Sequence, residues 1–298
     1  MVFVRYSSCR RAAVVAAMLF SAVSAAPISA LAQRAPTDQG AEWPSQVRAA
    51  YAISFGAFGE IGTFNFQSAM TPEGYALNAH ADLKVPLLFT WASRMSSDGR
   101  VVGEKPQPSS YHFQAVARPV IGGERGQTIR MGFRDQKVVG LTSYPPSPAP
   151  GPDYEPLTDA STHDVLDPLA AILAMAKVKG DANPCNRRLA IFDGRQRFDL
   201  VLTAAGQVRI PEVQPSGQPM IGPVCKVRYV PVAGYKNNDE TRRLASQSGI
   251  EIAFRPVPSA NLMVPYQITV PTVAGTATIT LQRMDIVAPG QKQIALVH

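Results

Sequence analysis

The chain has 298 residues, 29 Lys and Arg against 22 Asp and Glu, and a net charge of +7 at pH 7. Its basic residues are scattered and not massed, which excludes the clustered patch that a nucleic-acid interface needs. No apolar run reaches the roughly 20 residues of a membrane-spanning helix, and the length suits one large β domain or two small ones.

Residues 1–32 read as a cleavable signal peptide. Arg5, Arg10 and Arg11 come first, then the apolar run 12–26, then Ala30-Leu31-Ala32 ahead of Gln33, the order that export machinery recognises. Cleavage near Ala32 would leave 298 − 32 = 266 residues with 29 − 3 = 26 basic and 22 acidic side chains, net +4. The expected location is therefore the periplasm. Cys9 precedes the apolar run, so it is not placed for lipidation. Cys185 and Cys225 remain, and an even count in an exported chain argues for a disulfide over two free buried thiols. Neither has a second Cys or a His at ligand spacing, so a metal site is not expected.

Residues 33–45 are polar with Pro and Gly and read as a flexible N-terminus; a single β-rich domain is expected over 46–298. Tyr51, Ile53 and Phe55 alternate, as do Ile61, Phe64 and Phe66 beyond the glycines at 56, 59 and 62, which predicts a hairpin. Strands follow over 75–81, from Phe89 through Trp91 to Met95, over 111–117, and over 128–133, where Ile129, Met131 and Phe133 share a face. Proline is so dense over 144–156 that no ladder is expected there, and the segment reads as an exposed, extended connector.

Asp167-Pro168 offers an N-cap with Pro at the first helical position, and Leu169, Ile172, Leu173 and Ala176 recur at helical spacing toward Gly180. This helix should lay an apolar stripe over one opening or face of the sheet. Two alternating runs joined by Asp193-Gly194 predict a tight hairpin. Further strands are expected at 224–230, 250–257, 263–270 and 276–284, with a short surface helix within 237–248.

Candidate chemistry is sparse. His80, His112, His163 and His298 have no metal-ligand partner at suitable spacing. His163-Asp164 near Ser161 are too close in sequence to align as nucleophile, base and orienter, and there is no Gly-x-Ser-x-Gly elbow. The GAFGEIG run lies in a hairpin and not between a strand and a helix, so it is no dinucleotide fingerprint. No catalytic residues, cofactor or metal are expected. What stands out is apolar: Phe55, Phe64, Phe66, Phe89, Trp91 and Phe133 on strands, with Leu169, Ile172 and Leu173 on the helix. A curved sheet over a helix would turn these toward one concave face, either as closed core or as a surface for a hydrophobic ligand.

Several motifs together resemble the exported proteobacterial family known as domain of unknown function 3108. They are Tyr51-x-Ile53-x-Phe55-Gly56 with Ile61-Gly62, VLDPLAAILAMAK, IFDGRQRFDL after Cys185, GPVCKVRYVPVAGY around Cys225, and the closing VPYQITVPTVAGTATITL. The proline-rich insert departs from the pattern. Such proteins are similar in outline to the half-barrels of periplasmic lipoprotein carriers, in which an open antiparallel sheet wraps a helix and shelters an acyl chain. The resemblance implies a mainly β fold of this kind. The expected function is non-enzymatic binding of a lipid, acyl chain or other hydrophobic ligand in the cell envelope. The alternatives are a scaffold that binds an envelope protein or peptidoglycan through its surface, and, third, an envelope-polymer hydrolase.

Overall fold

The computed structural model describes residues 43–147, 151–176, 183–213, 217–246, 249–272, 275–289 and 293–297. Residues 1–32, expected to be a signal peptide, and most of the N-terminal stretch 33–45 lie outside them. Of that stretch, Trp43 and Pro44 are not loose: Pro44 is fully buried and Trp43 packs on the main core, because both are large apolar groups beside an exposed core edge.

Seven strands form an up-and-down meander: β1 (Gln46–Phe55), β2 (Glu60–Met70), β3 (Tyr75–Val85), β4 (Phe89–Val102), β5 (Lys105–Pro119), β6 (Arg125–Arg134) and β7 (Lys137–Tyr144). After the connector and the short β8 (Tyr154–Glu155) comes helix α1 (Pro168–Ala176). The remaining elements are β9 (Arg187–Phe192), β10 (Arg197–Val213), β11 (Pro219–Ala233), β12 (Tyr235–Lys236), α2 (Asp239–Ser246), β13 (Ile250–Val257), β14 (Leu262–Thr272), β15 (Gly275–Val287) and β16 (Ile294–Val297). All but β8 and β12 join one 14-stranded antiparallel sheet in the order β7-β6-β5-β4-β3-β2-β1-β15-β14-β13-β11-β10-β9, with β16 on β15. The chain thus closes on itself in the middle: β15 returns to pair with β1 along its whole length.

The two edge strands, β7 and β9, are not hydrogen-bonded to each other. Residues 163–166 stitch them instead. The Asp164 amide donates to the Gln136 carbonyl (2.9 Å), the Leu166 amide to Ala190 (2.8 Å), and the Phe192 amide to Leu166 (2.9 Å). A large twisted sheet that curls this far nearly becomes a barrel.

Helix α1 fills the interior. Asp167 caps it, its Oδ1 accepting from the amides of Leu169 (2.9 Å) and Ala170 (3.0 Å), while Pro168 needs no amide partner at that position. The helix does more than cover one face. Leu169, Ala170 and Leu173 pack into the core of the meander, and Ala171 and Met175 pack into a second core around the disulfide, so it is apolar on nearly every side. The described helix ends at Ala176; residues 177–182, which the expected span reaches, lie outside the described residues. Cys185 and Cys225 are bonded, with Cα atoms 5.1 Å apart, and both are fully buried in the second core.

Two local expectations are corrected. The β9–β10 hairpin turns through four residues, not two, because Asp193 Oδ1 accepts from the amides of Arg195 (2.8 Å) and Gln196 (2.7 Å) and widens the loop. The proline-rich connector carries a short ladder: Tyr154 and Glu155 pair with Lys236 and Tyr235. These two residues lie between Pro152 and Pro156 and keep their own amides, so the argument against a ladder does not reach them.

Candidate functional site

The concave face has two parts. In one, α1 and the 157–166 segment press on Tyr75, Leu77, Tyr111, Ile129 and Met131, all buried. In the other, toward the β1–β2, β3–β4 and β5–β6 turns, nothing among the described residues covers the sheet completely. The registers place one cross-strand row there: Ala117 on β5, Trp91 on β4, Leu83 on β3, Gly62 on β2, Ile53 on β1, Ile279 on β15, Ile268 on β14 and Ile252 on β13. Of these, only Ile252 is buried; the others keep part of their surface in solvent. At a strand spacing of about 4.8 Å, seven intervals make a stripe about 34 Å long around the concave face. Its members share one face because antiparallel partners point the same way, and each is apolar because alternation along its own strand puts it on the core side.

The expected apolar residues divide between the two parts. Phe66, Phe133, Leu169 and Leu173 are core, and Phe64 and Ile172 pack against it. Trp91 lies in the stripe. Phe89, 37% exposed, and Phe55 stand one row nearer the turns, and Phe55 stacks on Phe58 with ring centroids 6.3 Å apart. Sequence reasoning missed Ile53, Leu83, Ile268 and Ile279 as members of one surface; their alternation is visible, but the register that aligns them is not.

At the opposite end of β1 and β2, Phe66, Ile172 and Leu173 line an apolar cleft with Val47, Met70 and Leu262. Its free interior is about 40 Å³, far below the roughly 300–1,000 Å³ of ligand pockets. The helix has taken the space that an enclosed ligand would need.

One buried polar cluster lies under the covered part. Asp167 is fully buried, and its Oδ2 accepts from the Ser97 hydroxyl (2.7 Å). Burial raises its pKa to about 6 against the lowering effect of the amides and Ser97. Tyr75 and Tyr111, held near it, have phenols pushed far up by desolvation first and by Asp167 second. Asp199 is likewise buried, between Arg188 and Arg197. Asp167 is held by Ser97 and two helix amides, and Asp199 by its two arginines. The histidines do not gather acids: His163 Nε2 lies 3.2 Å from the exposed Asp159, which also pairs with Lys137, and the depression around His80 holds one carboxylate, Asp82, beside Arg94 and Arg118. Among the described residues no three His, Cys, Asp or Glu side chains group as a metal site, and no helix is long and apolar enough to cross a membrane.

A family model described as "Protein of unknown function (DUF3108)" matches residues 50–282. The chain belongs to the DUF3108 family. The match runs from β1 into β15 and so takes in the central β1–β15 pairing, α1 and both disulfide cysteines. Among solved structures, the chain is similar to a beta-barrel-like protein of domain of unknown function DUF1849 from Brucella abortus. The two are 12% identical with a TM-score of 0.50, over 82% of this chain and 98% of that one, a likeness of fold that agrees with the nearly closed sheet. No curated protein sequence matches.

Proposed function

We propose that this DUF3108 member is a non-enzymatic periplasmic protein of the cell envelope that binds an apolar ligand, such as a lipid acyl chain, along the open part of its concave face. The observation that carries the reading is the partly exposed row of Trp91, Leu83, Ile53, Ile279 and Ile268, of which the last two also touch the cores. A contiguous apolar surface left in water is costly unless something covers it. Export is supported by the N-terminal pattern and by the Cys185–Cys225 disulfide, a bond that persists in oxidising compartments. The ligand in this reading lies over the stripe and not in a closed cavity, since the cleft beside α1 is too small.

Titration with a pyrene-labelled fatty acid tests it. The protein should bind the probe, and Leu83→Asp should weaken binding about tenfold or more, since it places a charge where roughly 1.5–3 kcal/mol of leucine burial would otherwise be gained. Absence of saturable binding to the unaltered protein would sink the reading. The filled interior also suits a second one, a scaffold that works through its outer surface; co-purification of a protein or peptidoglycan fragment with an empty stripe would favour that.

A further inference from the structure

In an up-and-down meander every second turn falls at the same end of the sheet, so the β1–β2, β3–β4 and β5–β6 turns share one rim. All three carry apolar side chains in solvent. Phe58 is 50% exposed, Leu87 90%, Leu88 54%, Val120 67% and Ile121 90%. The last two turns are locked side by side by the Val120 amide, which donates to the Leu88 carbonyl (2.9 Å).

The conformation of Leu87 is the telling detail. Val85-Pro86-Leu87-Leu88 is a turn closed by the Leu88 amide donating to Val85 (3.1 Å), with Leu87 at φ +63°. The third position of such a Pro-containing turn is the one that favours Gly or Asn, because an L side chain is strained there. Among the described residues, the other non-glycine positions at positive φ are Asp135, Gln136, Asp164 and Asn261, all polar. A branched aliphatic group is thus held in an unfavourable backbone state and aimed at solvent, which local folding does not call for.

We infer that this rim is a membrane-docking surface, and that its occupant is the face of a phospholipid bilayer. The side chains project from three separate turns, each exposed on its own. Knobs fit a fluid acyl layer, which moulds around each, whereas a protein partner would need a matching pocket for every one. Lys84, Arg118 and Arg125 stand three or four residues back from Leu87 and Ile121, on the strand ends that flank the two turns, the side on which lipid phosphates lie when shallow apolar groups enter the interface. Glu60 and Glu124 share that level, Glu124 paired with Arg118 at 2.7 Å, so the anionic-lipid preference is modest. The rim adjoins Phe89 and then the Trp91 row, so a docked bilayer meets the open end of the stripe. The inference stands on the turns themselves and does not require the ligand reading.

The test is sedimentation with vesicles of phosphatidylethanolamine and phosphatidylglycerol, three to one. The protein should pellet with them, and Leu87→Gly with Ile121→Ser should lower the bound fraction at least tenfold. Because Leu87→Gly relieves the positive-φ strain, the thermal midpoint of that single variant should be equal or higher, which separates lost docking from lost folding. An independent readout is a polarity-sensitive dye on Ile121→Cys, which should shift to the blue on vesicles, while the same dye on Val139→Cys should not. Protein that stays in the supernatant, a double variant that pellets as before, or a dye at position 121 that sees only water would overturn the inference. The fatty-acid titration distinguishes the two proposals: rim variants should keep probe binding, and Leu83→Asp should keep vesicle binding.

Discussion

The covered and open parts of the concave face are made of the same strands and the same kinds of residue, yet they end in different surroundings. Where α1 lies on the sheet, Leu77, Tyr111 and Met131 are sealed and a polar cluster at Ser97 and Asp167 is fully enclosed. A few residues further along the same strands, Leu83, Trp91 and Ala117 face partly into water. A nine-residue helix rises about 13 Å, less than half the length of an 11-residue strand such as β3. One short helix therefore cannot cover the whole face, and the remainder stays partly in water.

If that division is right, substitutions in the two parts should have opposite signatures. The largest stability effect is expected from Leu169→Ala, which opens a cavity where the helix meets the meander; about 3–4 kcal/mol should be lost, read from denaturant midpoints. A smaller one attaches to Asp167. Its folded-state pKa, raised to about 6 from 3.8, means that the native state holds the proton more tightly than the unfolded chain. Stability from this group is thus fullest below about pH 4 and falls as pH rises to about 6, by roughly 2–3 kcal/mol, then levels. Asp167→Asn, which keeps an oxygen to cap Leu169 and Ala170, should remove that slope in urea titrations between pH 4 and 7. The smallest is Leu83→Ala in the open part, below about 1.5 kcal/mol because the side chain is already partly solvated. A cost at Leu83 equal to that at Leu169 would mean that both parts are core.

Much of the fold was legible along the chain. Alternation with turn residues marks the meander, Asp167-Pro168 marks the helix start, and the cysteine count in an exported-type chain points to the bridge that joins Cys185 to Cys225. The errors are also physical. Asp193-Gly194 by itself specifies a two-residue turn, but the Asp193 carboxylate satisfies two amides and widens the loop. The proline density at 144–156 argues against a ladder, but Tyr154 and Glu155 have amides and a partner strand about 80 residues away. As for the site, Phe55, Phe89 and Trp91 carry the same apolar strand signal as Phe66 and Phe133, which lie in the core.

By itself the sequence determined what depends on neighbours a few residues apart: which residues alternate, where turns and the helix cap fall, and which family the motifs resemble. Only the tertiary structure decided what depends on distant partners. The return of β15 to β1, the 163–166 stitch between the sheet edges and the register that lines up Trp91 with Ile279 are pairings between segments up to 241 residues apart, as for Gln46 and Val287. A hydrophobic residue carries the same local signal whether a helix lands on it or not, so the difference between core and open surface is set by where α1 comes to rest.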